Sequence, residues 1–157
     1  MIFITLGSQK FQFNRLLKAV DGLIEDGLNE EVFAQIGYSD YKPLNYRYKE
    51  FLDREEFSSI MGKARIVITH GGTGAIIGAL KKGKKVIAVP RLAEFGEHVD
   101  DHQLQLIGQF DELDLICACN DCNLRSALDT VEKAMYKEYK SNTNIIIDDL
   151  EKFIERM

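Results

Sequence analysis

The sequence predicts an α/β fold in which helices cover both faces of a parallel, doubly wound, Rossmann-like sheet. Short apolar runs rich in β-branched residues alternate with longer segments whose apolar residues recur at helical spacing. Several of the short runs stop at a glycine or a proline, which is typical of a strand that ends at a turn. Strands that alternate with helices along a chain pair in parallel, since each helix carries the chain back across the sheet.

The strands and helices follow in order from these patterns. Strands are predicted at residues 2–6, 32–36, 46–51, 66–69, 86–89 and 114–119. Asp53 and Glu56 form a capping pair that starts a short helix, and Gly27 and Gly83 end two others. A long helix near the end of the sheet is indicated by five apolar residues at helical spacing: Leu124, Ala127, Leu128, Val131 and Met135.

Length and composition limit the classes of protein that this chain can form. Its 157 residues, 45% of them hydrophobic, fit one domain with a single core, and we place that domain at residues 1–140. The net charge of −5 argues against nucleic-acid binding, which needs a clustered basic surface. The apolar N-terminal run is too short for a membrane span or a signal peptide, and three cysteines fit reduced thiols, so we expect a cytoplasmic protein.

The most informative segment is the glycine-rich turn His70-Gly71-Gly72-Thr73-Gly74, which lies between a strand and a helix. Thr73 is the predicted N-cap of that helix. Glycines let an anion approach the backbone closely, and the unpaired N–H groups and dipole of a helix N-terminus attract negative charge. The turn therefore predicts a phosphate site.

Two other interpretations of the turn stay open. Gly72, Gly74 and Gly78 resemble a dinucleotide-binding turn, but that fingerprint follows the first strand and is answered by an acidic residue about twenty positions later. Here the turn follows roughly the fourth strand, and the next strand ends at Pro90-Arg91, which weakens the case for a nicotinamide cofactor. The glycines also permit tight packing of strand and helix without any ligand.

A second loop, residues 94–103, is expected at the same carboxyl edge of the sheet, where open α/β folds bind their ligands. With this loop, the chain resembles the donor-binding half of glycosyltransferase family 28, and in particular its small one-lobe members. These include the donor-binding subunit of the enzyme that adds the second N-acetylglucosamine to dolichol-linked sugars, and bacterial relatives that act in capsule and exopolysaccharide synthesis. The resemblance is carried by these segments at their spacing: Gly7-Ser8, residues 69–72, Gly83, Pro90 and residues 101–103.

The resemblance implies a single GT-B lobe that holds a UDP-sugar donor, with no further cofactor. The turn residues Gly71, Gly72, Thr73 and Gly74 match the segment that meets the diphosphate, and Asp101, His102 and Gln103 match the segment that hydrogen-bonds the donor sugar. Gly7, Ser8 and His70 are expected at the same edge. Arg91, expected at the surface, is a candidate for adding positive charge near the diphosphate.

One position departs from the family pattern. The lipid II-forming relatives carry a ribose-binding glutamate five residues before the equivalent of Gly83, and this chain has Gly78 there. Glu97 is a candidate replacement, and Glu97 and His98 are also candidates for the catalytic base, although the resemblance implies that the base lies on a partner. The departure keeps open a second function, that of a non-catalytic nucleotide-binding or regulatory subunit.

Three groups of residues raise metal or membrane interpretations. His98 and His102 stand four residues apart, which on a helix would place both on one face, but no third ligand is evident and we predict no metal. Cys117, Cys119 and Cys122 fit core and cap positions better than a metal site. A group of lysines at a helix end is most simply a solvated face, with attraction to a membrane surface as the alternative: Lys81, Lys82, Lys84 and Lys85.

Glycosyl transfer of this type uses two lobes, so the resemblance implies a membrane-anchored acceptor-binding partner that brings this chain to a lipid-linked sugar at the inner face of the membrane. Residues 141–157 are predicted to form a final helix and are a candidate docking site, with packing on the chain's own sheet as the alternative. Without its partner, the chain is a candidate homo-oligomer. The helix presents one apolar stripe: Ile146, Leu150, Phe153, Ile154 and Met157.

Overall fold

The computed structural model describes residues 1–139 together with Glu151, Ile154 and Glu155. The described residues include six strands, at β1 (Ile2–Thr5), β2 (Val32–Gln35), β3 (Arg47–Lys49), β4 (Ile66–Thr69), β5 (Lys85–Ala88) and β6 (Cys117–Ala118). Within residues 1–139, five helices lie at α1 (Asn14–Glu25), α2 (Arg54–Lys63), α3 (Thr73–Lys81), α4 (His102–Glu112) and α5 (Leu124–Lys133). A short 3₁₀ turn at Ala93–Phe95 precedes α4.

The strands form one sheet with the order β3-β2-β1-β4-β5-β6, and every pairing between neighbours is parallel. This confirms the predicted doubly wound, Rossmann-like fold. The strand order reverses between β1 and β4, where Thr5 is in register with Thr69. Ligands of such sheets bind in the crevice outside the carboxyl ends of the strands at this reversal. The first strand and the glycine-rich turn therefore meet at the point that the fold favours for a ligand.

The sheet is buried on both faces because its side chains alternate between two apolar clusters. Ile2 and Ile4 of β1 face a cluster that includes α1 and α5, whereas Phe3 faces a cluster that includes α3 and α4. Each fully buried side chain of this size contributes roughly 1.5–3 kcal/mol to folding. The two layers hold the carboxyl edge of the sheet rigid beneath the loops.

The local rules that start and end the helices mostly hold. The predicted capping pair is present in α2, where the Glu56 N–H donates to Asp53 Oδ1 at 2.8 Å and the Asp53 N–H donates to Glu56 Oε2 at 3.2 Å. Gly83, just past α3, has φ +72°, the left-handed conformation that glycine adopts without strain. Such ends fix where each helix meets its strand.

Two predictions about the elements were wrong, and one helix was not predicted. Gly72, not Thr73, is the N-cap of α3, and Thr73 is its first helical residue. Met135 lies beyond the end of α5 and is 96% exposed, so it does not pack on the sheet. No helix was predicted between Gln103 and Asp114, yet α4 occupies most of this segment.

The predicted C-terminal helix falls mainly outside the described residues. Of its five stripe residues only Ile154 is described, and it is 37% exposed. The division of the chain at residue 140 and the docking role of the stripe therefore stay predictions. Within the described part of the chain, no helix is long and apolar enough to span a bilayer.

Candidate functional site

The candidate site lies where the loops after β1 and β4 meet at the carboxyl edge of the sheet. The hydroxyl of Thr69 donates to the carbonyl oxygen of Thr5 at 2.9 Å and joins the two strands at their last residues. Gly7 follows β1 with φ +72°, a conformation that costs most other residues strain. Ser8, the next residue, is exposed. The Gly7 loop and the turn 70–74 thus lie side by side at this edge of the sheet.

The N-terminus of α3 lies at this edge of the sheet, directly after the turn. Ile76 donates its N–H to the carbonyl of Gly72 at 3.1 Å, so the N–H groups of Thr73, Gly74 and Ala75 precede the first intrahelical bond. No described residue accepts a hydrogen bond from these three groups, and Gly74 is exposed. Unpaired donors at the positive end of a helix dipole form a site for an anion such as phosphate.

His70 fills the space between the two glycine segments. The residue is only 5% exposed, and a β-carbon at Gly7 or Gly72 would lie 2.7 Å or 2.8 Å from its Nε2. Both glycines are therefore needed for close approach to the imidazole ring. Burial, together with the charges of Arg91 and His98, lowers the pKa of His70 to about 3, so the ring is neutral near pH 7.

Gln103 ties the turn to the loop after β5. Its Oε1 accepts the N–H of Gly71 and the N–H of Arg91, both at 3.0 Å, and its Nε2 lies 3.4 Å from Nδ1 of His70. Gln103 is 7% exposed, and a β-carbon at Gly71 would lie 2.7 Å from its Cβ. Both polar atoms of the Gln103 side chain, Oε1 and Nε2, contact other protein atoms. The role of Gln103 in binding the donor sugar stays a prediction.

Arg91 was expected at the surface, but it is buried, with 1% of its side chain exposed. Its guanidinium donates to the carbonyl oxygens of Leu6 at 2.7 Å and Phe11 at 2.8 Å, and it lies over the ring of Phe13. Burial lowers the pKa of Arg91 to about 10, which leaves the group charged near pH 7. Arg91 therefore holds the Gly7 loop through the carbonyl oxygens of Leu6 and Phe11, and its contact with the diphosphate stays a prediction.

Glu97 is also committed to the protein. Its two carboxylate oxygens accept Nε and Nη2 of Arg15, each at 3.0 Å, and Oε1 also accepts the Leu92 N–H at 3.0 Å. Burial opposes the charge of Arg15, but the hydrogen bond and charge of Glu97 outweigh it and raise the Arg15 pKa. Glu97 is fully buried in this pair, so acting as a catalytic base or as the ribose ligand would require the pair to open, and both roles stay predictions.

Arg15 was not identified from the sequence. It stands on α1, 82 positions from Glu97, and also donates to the carbonyl of Pro90 at 3.0 Å. No local pattern predicts a pairing across that separation, because helix periodicity reports only which face is apolar. The Arg15–Glu97 pair fixes the loop after β5 against α1.

The acidic loop before α4 presents the remaining predicted residues. Asp101 accepts a hydrogen bond from the Ala93 N–H at 2.8 Å. Asp100 lies between two histidines: its Oδ1 is 3.2 Å from Nδ1 of His98, and its Oδ2 is 3.2 Å from Nδ1 of His102. A hydrogen bond from the His102 N–H, together with both imidazoles, keeps the pKa of Asp100 below its usual range. Asp101 and His102 are exposed and remain available to a ligand.

The two histidines do not share a helix face, since His98 precedes α4 and His102 is its first residue. Among the described residues, no group of three or more His, Cys, Asp or Glu side chains is placed to hold a metal ion. Cys117 and Cys119 are buried, and burial raises the pKa of Cys119 to about 12, which fits the predicted core role.

The lysine group is only partly a solvated face. Lys84 donates to the carbonyl of Gly62 at 3.0 Å and Lys85 to that of Val131 at 2.9 Å, so both neutralise carbonyl ends of helices. Lys81 and Lys82 are exposed, as expected. The alternative of attraction to a membrane surface stays a prediction.

We expect His70 to make stability depend on pH. Its folded pKa of about 3 lies below the value of about 6.5 in the unfolded chain, so the unfolded state binds an extra proton between these values and stability falls as the pH falls. From pH 7 to pH 5 this contributes a loss of about 2 kcal/mol in the free energy of unfolding. Urea unfolding at pH 7 and at pH 5 measures this loss. In His70→Gln, the decrease in the free energy of unfolding between the two pH values should be about 2 kcal/mol smaller than in the wild-type protein. The control His102→Gln, at an exposed position, should retain the wild-type dependence, and an equal pH dependence in all three proteins would contradict the assignment.

Comparison with known proteins gives the family context of this arrangement. A model of the glycosyltransferase family 28 C-terminal domain matches residues 1–157. No curated protein sequence matches the chain. The solution structure of ALG13 has a TM-score of 0.63 at 20% identity, with 95% of this chain and 93% of that chain covered.

Two larger transferases contain a similar fold. The glycosyltransferase SnogD from Streptomyces nogalater has a TM-score of 0.58 at 17% identity, with 99% of this chain and 39% of that chain covered. MurG from Acinetobacter baumannii has a TM-score of 0.58 at 17% identity, with 85% of this chain and 41% of that chain covered. The chain thus spans about two fifths of the length of these two enzymes, and at such identities the likeness shows the fold alone.

Proposed function

Since the chain belongs to the glycosyltransferase family 28 C-terminal domain family, we propose that it is the donor-binding lobe of a transferase that uses a UDP-sugar. The acceptor is a lipid-linked sugar, and the acceptor-binding lobe is a separate, membrane-anchored polypeptide that recruits this chain to the inner face of the membrane. The product belongs to polysaccharide or glycan biosynthesis.

One observation carries the donor-binding role. At the reversal of strand order, the N–H groups of Thr73, Gly74 and Ala75 at the start of α3 donate to no described residue, and the Gly7 loop follows the neighbouring strand β1. A nucleoside diphosphate is the ligand whose charge and size suit a helix N-terminus at this point of the fold. Asp101 and His102, exposed at the same edge, offer a carboxylate and an imidazole to the hydroxyls of the attached sugar.

The proposed reaction is a direct inverting displacement at the anomeric carbon. The acceptor oxygen forms the new glycosidic bond while the bond to the diphosphate breaks, and UDP leaves with the electron pair. Negative charge grows on the leaving diphosphate in the transition state, where the N-terminus of α3 stabilises it. The base that takes the proton from the acceptor hydroxyl is supplied by the acceptor lobe, since Glu97 is held by Arg15.

The two-polypeptide arrangement is proposed from the resemblance to one-lobe donor-binding subunits, and the fold comparison is in line with it. The described part of this chain forms one sheet with its helices, and the fold match extends over 93% of ALG13 but only 41% of MurG. This agrees with the resemblance to one-lobe donor-binding subunits. The second candidate function, a non-catalytic nucleotide-binding subunit, is favoured by Gly78, which places no side chain where the lipid II-forming relatives carry a ribose-binding glutamate.

Calorimetry of the chain with a panel of nucleotides tests this proposal. We expect UDP and at least one UDP-sugar to bind, and NADH not to bind, because the turn accepts a diphosphate but the sequence offers no acidic partner for an adenosine ribose. Tighter binding of one UDP-sugar over UDP would identify the sugar. The proposed function would be contradicted if the chain bound NADH but not UDP, or if it bound none of the nucleotides.

We expect Gly78→Glu to strengthen UDP binding. Position 78 is exposed on α3, and a β-carbon added there would have no neighbouring atom within 4 Å, so a side chain fits without strain. One or two new hydrogen bonds to ribose hydroxyls would raise affinity about fivefold to a hundredfold. Calorimetry with UDP measures the gain, and Gly78→Ala controls for the higher helix propensity of a non-glycine residue. Equal affinity in Gly78→Glu and Gly78→Ala would show that this position does not face the ribose.

A further inference from the structure

Two cysteines, Cys119 and Cys122, stand at the ends of the turn that joins β6 to α5. Asn120 and Asp121 are the central residues of this turn, so the cysteines hold its first and fourth positions. The α-carbons at these two positions of a turn lie within about 7 Å of each other. A disulfide joins α-carbons that are about 4.4–6.8 Å apart. The backbone therefore already brings the two residues to the separation that a disulfide spans.

The side chain of Cys119 extends across this turn. Its Sγ lies 3.9 Å from Oδ1 of Asp121, and the same oxygen accepts the Asn123 N–H at 3.0 Å. Cys119 is a buried member of the core cluster that includes residues of α1 and α5, and Cys122 packs against that cluster. Cys122 has φ +59°, a left-handed conformation that few residues with a side chain adopt. The two sulfur-bearing side chains are thus held together at the start of α5.

Cys117 does not belong to this pair. It lies two positions before Cys119, whose N–H continues the pairing with β5 by donating to the Ala88 carbonyl at 2.9 Å. Residues two apart on an extended strand have their β-carbons about 6.5 Å apart, whereas a disulfide needs about 3.5–4.5 Å. Cys117 is also buried, with 7% exposed. It therefore serves as an internal control for any reaction of the other two cysteines.

The two paired thiols differ in access and in charge environment. Cys119 is 4% exposed, whereas Cys122 is partly exposed. Burial raises the pKa of Cys119 to about 12 and also raises the pKa of Cys122, but the charge of Arg15 opposes the rise at Cys122. The thiolate is the form that attacks a disulfide, and it must be reached by the reagent. Cys122 is therefore the thiol that reacts first, and Cys119 is the thiol that closes the bond.

We propose that Cys119 and Cys122 form a dithiol–disulfide couple, a redox modification site whose oxidant is a small disulfide such as oxidised glutathione. The Cys122 sulfur attacks one sulfur of the reagent, the S–S bond of the reagent breaks, and a first small thiol leaves with the Cys122 proton. The Cys119 sulfur then attacks the Cys122 sulfur, and a second small thiol leaves with the Cys119 proton. The two cysteines are oxidised to one disulfide, and the reagent is reduced to two thiols.

Equilibration of the purified chain with mixtures of reduced and oxidised glutathione tests this site. After acid quenching, unfolding and alkylation, mass spectrometry counts the free thiols. We expect the wild-type chain to fall from three alkylated cysteines to one, without bound glutathione, while reduced glutathione is still in excess. The reaction should be faster at pH 8 than at pH 7, because the raised pKa of Cys122 keeps most of it protonated at pH 7.

Three single substitutions assign the disulfide. Cys117→Ser should form the disulfide at the same glutathione ratio as the wild-type chain and keep no free thiol. Cys119→Ser should stop at the mixed disulfide, with one glutathione bound to Cys122. Cys122→Ser should keep both of its thiols, since the two cysteines that remain are buried.

The wild-type measurement decides the proposal even if a variant does not fold. Three free thiols in the wild-type chain at every glutathione ratio, or only a mixed disulfide with glutathione, would overturn it. A disulfide that includes Cys117, or one that joins two chains, would overturn it as well. A glutathione adduct on folded Cys122→Ser, with none on folded Cys119→Ser, would overturn the order of attack.

Discussion

Gly72→Ala should abolish measurable UDP binding. A β-carbon at position 72 would overlap Cε1 of His70 and lie 2.8 Å from Nε2, and the ring cannot withdraw because Gly7 and Gln103 enclose it on other sides. Either His70 or the turn must move, and the N–H groups at the start of α3 then lose their common direction. Loss of two or more hydrogen bonds to a charged ligand lowers affinity by about a hundredfold or more.

The variant needs a control for stability, since forcing a methyl group into a packed site costs about 1–3 kcal/mol. Gly62→Ala adds the same methyl group inside α2, where no other atom lies within 4 Å, and should leave UDP affinity unchanged. Urea unfolding identifies the conditions in which both variants are folded, and calorimetry is then carried out there. Wild-type affinity in folded Gly72→Ala would remove the turn from the nucleotide site.

The isolated chain should bind its donor but transfer no sugar to a lipid-linked acceptor. The lobe that places the acceptor hydroxyl and removes its proton is proposed to be on another polypeptide, and positioning and general-base catalysis each contribute large factors. We expect transfer by the isolated chain at less than about one thousandth of the rate of the assembled complex. Radiolabelled sugar transfer, measured with and without co-expressed acceptor lobe, gives the ratio.

Two variants sharpen this experiment. The complex formed with Gly72→Ala should be inactive, which would show that activity depends on this chain's own turn. Phe153 and Ile154 lie in the predicted docking stripe, and their joint replacement by Asp should prevent rescue, because buried carboxylates at an apolar contact cost several kcal/mol. Robust transfer by the isolated chain would contradict the two-polypeptide proposal, and full rescue by the folded double variant would contradict only the docking site.

The fold could be predicted from the sequence because its determinants are local. Strands such as β1 and β4 are short apolar runs, and the capping box of α2 and the positive φ of Gly83 act over a few residues. The segment of α4 was missed because its start lies in an acidic loop without a clear cap, and Asp101 makes no capping hydrogen bond with its side chain. Helices that depend on burial rather than on caps give weaker local signals.

The position of the site could be predicted from the sequence, but the contacts of its individual side chains could not. The turn 70–74 and the loop before α4 were placed at one edge of the sheet because parallel strands bring their carboxyl ends together, and the structure shows this. What each polar side chain does there depends on partners far away in the chain. Arg91 bonds to Leu6, 85 positions away, and Glu97 to Arg15, 82 positions away, so two residues expected to be free are buried. Pairings across such distances leave no periodic pattern in one sequence.

The central claim is that a nucleoside diphosphate binds at the reversal of strand order between β1 and β4. Titration of nitrogen-15-labelled chain with UDP, followed by amide chemical shifts, tests it most directly. We predict that the largest shifts occur at Gly7 and at the first turn of α3, Thr73, Gly74 and Ala75, with smaller shifts at Gly62 in α2. An unchanged spectrum at millimolar UDP, or shifts that cluster away from these amides, would contradict it.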